Sequence, residues 1–123
     1  MNDIVKINVT HADLELVRGD DDAFEFTFSD ELGAIDITDW TVFFTVRSDN
    51  NEEDDTNAII KKVITEHTDP EHGKTEIQIT EEDSNQPIDS YYYDIQIKDD
   101  SNKIKTVVIG NIFIVQDVTK STS

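Results

Sequence analysis

A chain of 123 residues with 28 Asp and Glu against 10 Lys and Arg carries a formal net charge of −18, which excludes the basic footprint needed to hold nucleic acid or an anionic membrane surface. It has no cysteine, so neither a disulfide nor a thiolate metal site can form. Its length suits one domain with a single core, and no apolar run approaches the roughly 20 residues of a membrane-spanning helix.

Met1-Asn2-Asp3-Ile4 lacks the basic and apolar regions of a secretory signal, so a soluble protein made in the cytoplasm is expected. Val5, Ile7 and Val9 alternate with polar neighbours and predict a first strand or an arm within residues 1–11. Residues 12–17 predict a second strand, with Leu14 and Leu16 on one face, and Gly19-Asp20-Asp21-Asp22 reads as a turn. Residues 23–29 alternate cleanly: Phe24, Phe26 and Phe28 share the expected core face, while Glu25 and Thr27 point away. Ile35 and Ile37 form a short edge. Residues 40–47 place Trp40, Val42, Phe44 and Val46 inward and leave Phe43 on the solvent side with Thr41, Thr45 and Arg47.

Residues 48–57, SDNNEEDDTN, form a long acidic loop. Residues 58–65 are the next strand, and Pro70 sets the turn Asp69-Pro70-Glu71-His72. Residues 74–80 point Thr75, Ile77 and Ile79 inward, and Thr80 caps one helical turn over 81–85. In the last third, two long β-type runs, 91–98 and 103–115, flank Asp99-Asp100-Ser101-Asn102, the signal of a β-hairpin. Tyr91, Tyr93, Ile95 and Ile97 face inward and Tyr92 outward. The second run is apolar on both sides, with Val108, Ile112 and Ile114 on one and Val107, Ile109, Phe113 and Val115 on the other. Residues 120–123 are a short tail.

Short strands separated by turn signals, with no long helix, predict an all-β sandwich that spans residues 1–119 as one domain. No catalytic constellation stands out. No Ser sits in a Gly-rich elbow, and four glycines supply no phosphate-cradling loop. His67 and His72 bracket Asp69 and Glu71, but Pro70 makes this a polar turn rather than a metal site. The runs Asp20 to Asp22 and 49–55 lack the spacing of a calcium loop and read as hydrated loops. Neither a cofactor nor a metal is expected.

Several stretches, in order, resemble the immunoglobulin-like N-terminal domain of the baseplate upper protein family, found in tail and baseplate proteins of tailed viruses. They are Leu16-Val17-Arg18-Gly19-Asp20 followed by the Phe24 to Phe28 strand, Ile37-Thr38-Asp39-Trp40 running into Val46-Arg47-Ser48, and residues 73–80 with Asp83. Tyr91-Tyr92-Tyr93-Asp94-Ile95-Gln96 and Gly110-Asn111-Ile112-Phe113-Ile114 with Asp117-Val118-Thr119 complete the series. Pro87-Ile88-Asp89-Ser90 departs from the Pro-Ala-Gly common in the family. The resemblance implies an immunoglobulin-like antiparallel β-sandwich of about seven to nine strands. It also implies a non-enzymatic structural role in a virion. The partners would be other virion proteins and further copies of the chain, with assembly in the host cytoplasm. Joined to the charge, it points to a virus of a halophilic archaeon.

In such a sandwich strands C, F and G adjoin. Residues 40–47, 91–98 and 103–115 take these places, which collects Phe43, Tyr92, Val107, Ile109 and Phe113 as a candidate interface on the outer face. The competing expectation is that a loop or the N-terminal strand covers that face within the monomer. Two other roles compete with a tail or baseplate protein: a capsid decoration protein, and a carbohydrate- or ligand-binding module for host attachment.

A body of charge −18 repels itself in dilute salt, and the Debye length shrinks from about 10 Å at 0.1 M to about 3 Å at 1 M. The melting temperature is therefore expected to rise steadily from dilute to molar NaCl. A flat or falling series in scanning calorimetry would contradict a chain adapted to concentrated salt.

Overall fold

Alternating side chains build both sheets of the molecule. The computed structural model describes residues 8–9, 14–48 and 58–116. Its strands are β1 (Asn8–Val9), β2 (Leu14–Val17), β3 (Asp22–Asp30), β4 (Gly33–Ala34), β5 (Thr41–Arg47), β6 (Ala58–Ile64), β7 (Lys74–Ile79), β8 (Asp89–Lys98) and β9 (Ile104–Val115). A 3-10 turn, Pro70–His72, precedes β7, and one helical turn, α1 (Glu81–Ser84), follows it. The acidic run 49–55 and the tail 120–123 lie outside the described residues, as does most of the N-terminal arm.

In the first sheet β3 pairs with β1, β4 and β7, all antiparallel. The second has the order β2-β9-β8-β5-β6. The expected neighbours C, F and G are β5, β8 and β9, paired antiparallel. One pair departs from the antiparallel pattern: β2 lies parallel to β9, with Leu14 beside Ile112 and Val17 beside Val115. The chain has crossed from β1 in the first sheet to reach that edge. A parallel neighbour arises from such a crossing and not from a hairpin.

The core lies between the sheets. Phe26, Phe28, Ile77 and Ile79 come from the first, and Leu16, Val42, Phe44, Val46, Tyr91, Tyr93, Ile95, Ile97, Ile112 and Ile114 from the second, all buried. Each such side chain contributes about 1.5–3 kcal/mol on leaving water. Trp40 packs edge-on against Phe28 at 5.9 Å between centroids, and Phe44 stacks obliquely on Tyr93 at 5.6 Å. Tyr93 sits opposite Gly110 on β9. A Cβ there would come within 2.8 Å of the tyrosine ring, so the glycine gives the ring its place.

The hairpin turn is held by one aspartate. Asp99 Oδ1 accepts the N–H of Ser101 at 2.8 Å and of Lys103 at 3.0 Å. Asn102 takes the left-handed conformation (φ 64°) that Asn tolerates better than most residues. Farther along, β9 bulges: Ile95 pairs with Val108 but Gln96 with Thr106, so Val107 is the extra residue.

The acidic turn after β2 is wired into the fold rather than only hydrated. Asp21 Oδ1 accepts the Glu81 N–H at the start of α1 (2.8 Å), and buried Ser84 donates its hydroxyl to the Asp20 carbonyl (2.7 Å). The predicted cap is present as a full capping box between Thr80 and Asp83. Asp83 also meets Lys62 Nζ at 2.6 Å, tying α1 to β6.

Gly73 has φ +73°, and a Cβ on it would run into the carbonyl oxygens of Phe28 and Ile35. Gly19 has φ +86° with open space around it. Gly73→Ala is therefore expected to cost about 2–4 kcal/mol in urea unfolding, against about 1 kcal/mol for Gly19→Ala. Equal losses would contradict the packing account.

Burial raises the Asp83 pKa, but the hydrogen bonds from Lys62 and from Thr80 outweigh it and hold the carboxyl below its ordinary 3.8. A lowered folded pKa gives stability that is present above the unfolded value and is lost as pH falls through the folded one. Asp83→Asn is thus expected to cost about 1 kcal/mol at neutral pH. The gap to wild type should close in melts taken well below the unfolded pKa.

Candidate binding face on the five-stranded sheet

Alternation on β8 turns Tyr92, Asp94, Gln96 and Lys98 away from the core. The register then fixes their neighbours. Arg47 and Asn111 flank Tyr92, Thr45 and Ile109 flank Asp94, and Phe43 and Thr106 flank Gln96. On β6, Val63 lies beside Phe43 and Lys61 beside Thr45. At the far edge Glu15 of β2 lies beside Phe113.

This face is apolar to a degree the first sheet's outer face is not. Among the described residues four large apolar side chains are more than half exposed, and three of them, Val63 (58%), Ile104 (64%) and Ile109 (75%), are here. Phe43, Val63 and Ile104 line a shallow depression of about 330 Å³ with Thr45, Arg47, Lys61, Asp94 and Gln96. Arg47 and Asp94 form an ion pair across it at 3.4 Å. On the first sheet the outward row is Ala23, Glu25, Thr27 and Ser29 on β3, and Lys74, Glu76 and Gln78 on β7. That is an ordinary solvated surface.

The charge distribution is as uneven as the apolar surface. Glu15 and Asp94 are the acids in the outward rows of the second sheet, and Arg47, Lys61 and Lys98 are the bases. In a chain of net charge −18 this face carries no excess of carboxylates.

Four of the five expected interface residues are on the face. Ile109 is exposed, while Phe43, Tyr92 and Phe113 are half-buried. Val107 is not part of it. The bulge takes it out of the outward row, and it packs against the core. Phe43 and Phe113 are not neighbours. Phe43 lies at the level of Gln96 and Phe113 at the level of Ser90. At 3.3 Å per residue they stand roughly 20 Å apart. Sequence reading missed Val63 and Ile104. Their signal was parity: each is the apolar residue paired to an outward neighbour, which becomes visible once register is known.

The two turn histidines have structural partners. His67 Nε2 lies 2.8 Å from the Trp40 carbonyl oxygen and donates to it, while Nδ1 shares a hydrogen bond with the Thr75 hydroxyl at 2.9 Å. His72 Nδ1 lies 3.0 Å from Asp69, whose hydrogen bond and charge raise the imidazole pKa. Among the described residues no group of three or more His, Cys, Asp or Glu is placed to hold a metal ion. No helix among them is long and apolar enough to cross a membrane.

The architecture is an immunoglobulin-like β-sandwich. No protein-family model and no curated protein matches the chain. Among solved structures it is similar to a point mutant of the SrpA adhesin from Streptococcus sanguinis, with a TM-score of 0.55 and 16% identity over 98% of this chain. The chain spans 63% of that adhesin chain. The soluble domain of PmoD from a Methylocystis species gives a TM-score of 0.48 at 9% identity, covering 89% of each chain. Fibronectin(III)-like modules of CbhA from Clostridium thermocellum give 0.44 at 19% identity, covering 98% of this chain and 52% of theirs. At 16% identity the likeness to the adhesin is one of fold.

Proposed function

We propose that the chain is a non-enzymatic structural protein of a virus particle, placed in the tail or baseplate. It packs the outer face of its five-stranded sheet against further copies and neighbouring virion proteins, in concentrated salt. The observation that carries the reading is the coincidence, on one face, of exposed Val63, Ile104 and Ile109 with an absence of excess acid. Apolar surface gathered in one place is the usual mark of a protein contact. Screening by molar salt lets bodies of net charge −18 approach closely enough to use it. The ordered resemblance from Leu16 to Thr119 supplies the virion setting.

A second reading is a module for attachment to a host surface, favoured by the fold shared with an adhesin and by the depression around Phe43. The single Trp, Trp40, packs edge-on against Phe28 but is only half-buried, and it lines a second small depression with Asp36, Thr38, Asp39 and Asp100. Glycan binding that is lost in Phe43→Ala would favour this second reading over the first.

Sedimentation in molar NaCl tests the packing role. Wild type is expected to associate, and Phe43→Glu and Ile109→Glu to remain monomeric. The melting temperature of Ile109→Glu should be unchanged, since Ile109 is already 75% exposed. Association unaltered in both variants would count against the face. Antibody labelling of intact particles decides position. Signal at the tail is expected, signal on the head would mean a decoration protein, and a chain absent from particles would overturn the virion role.

A further inference from the structure

The edge of β7 carries a second site, which shares Val63 with the depression on the five-stranded face. Asp69 and Lys74 exchange both backbone hydrogen bonds, N–H to O at 3.2 Å one way and 3.0 Å the other. Both polar groups of Lys74 therefore point away from β3. Because these groups alternate sides along a strand, those of Glu76 and Gln78 point the same way. Among the described residues β7 has β3 as its one partner strand, and the Asp69 bridge stands isolated. The chain thus begins a neighbouring strand at Asp69 and abandons it. Two residues earlier His67 is anchored elsewhere, by Trp40 and Thr75. Where that strand would have continued there is an open groove of about 390 Å³. It lies between the end of β6 (Lys62, Val63 and Ile64, followed by Thr65 and Glu66) and Glu76 and Gln78 of β7.

We infer that this groove accepts an extended segment of another protein as an added strand, and that the segment is basic. An unpaired strand edge offers main-chain donors and acceptors in the spacing a strand requires. Here Glu76 and Gln78 supply two N–H and two C=O groups. Charge selects the occupant. Glu66 and Glu76 line the groove, and its one cation, Lys62, is already held by Asp83 at 2.6 Å. Lys or Arg on the incoming strand meets those carboxylates. A second copy pairing β7 with β7 about its middle would set Glu76 against Glu76 of its partner, and directly opposed like charges destabilise a strand pair.

The test uses the full chain, labelled with nitrogen-15, and a capped hexapeptide that alternates Lys with Val and Thr. The Glu76 and Gln78 amides are expected to shift and to gain protection from hydrogen exchange on adding the peptide. The same peptide N-methylated on its pairing edge, and a version with Glu in place of Lys, should each bind at least about tenfold more weakly. Gln78→Pro removes one edge donor without touching the β3 ladder, as proline on an edge strand allows. It should abolish the shifts while the rest of the spectrum stays folded. Glu76→Lys should reverse the preference toward the acidic peptide. The inference is overturned if both amides are already protected without peptide, if their protection grows with protein concentration alone, or if millimolar peptide leaves them unmoved. It shares Val63 with the five-stranded face but needs nothing from β9, three strands away, so Ile109→Glu should bind the peptide normally.

Discussion

Everything in this molecule is assembled against its own charge. With 28 carboxylates in 123 residues, acids cannot simply be kept at a distance from structured backbone. They are used as acceptors instead. Asp99 holds the hairpin turn, Asp21 and Asp83 hold the two sides of α1, and Asp36 takes both the N–H and the hydroxyl of Thr38. In each case a carboxylate accepts a backbone N–H that a turn or helix start leaves without a partner. These bonds favour the ionised form locally, which explains why Asp36 and Asp83 both titrate below the ordinary value. Some repulsion remains at close range, as between the opposed Glu25 and Glu76 of β3 and β7, and the longer-range part is what salt screens best.

Much of the fold could be read directly from residue order. The inward tyrosines and isoleucines of β8 are buried as alternation requires, and Phe26 and Phe28 are buried against them from the other sheet. The capping box at Thr80 and the hairpin around Asp99 declared themselves through local chemistry. What escaped was non-local. The bulge that removes Val107 from the outer row depends on how β9 meets β8, and alternation within one strand cannot reveal an extra residue in a pair. The parallel placement of β2 depends on the route between sheets. The histidines looked like turn decoration, yet His67 ties the β7 side to Trp40, because a partly buried imidazole needs partners for both nitrogens.

The candidate face was legible in outline and wrong in detail for the same reason. Phe43 and Ile109 were visible as apolar residues on outward parities, while Val63 and Ile104 became part of the face only through cross-strand register. The result is a molecule with unlike sides. One sheet shows a solvated row of Glu, Lys, Thr and Ser, and the other a broad apolar surface without excess acid. Beside them, β7 has β3 as its one partner strand among the described residues.

The parallel pair of β2 and β9 has a mechanical consequence. Chain entering at Leu14 and chain leaving at Val115 depart from opposite ends of two strands that run the same way. Tension applied through the flanking segments pulls these strands past one another lengthwise. The load falls on all the bonds of the pair together, whereas a hairpin pulled at its open end gives way one rung at a time. Four paired residues make a short clamp, and on the N-terminal side the two-residue pairing of β1 with β3 stands in front of it.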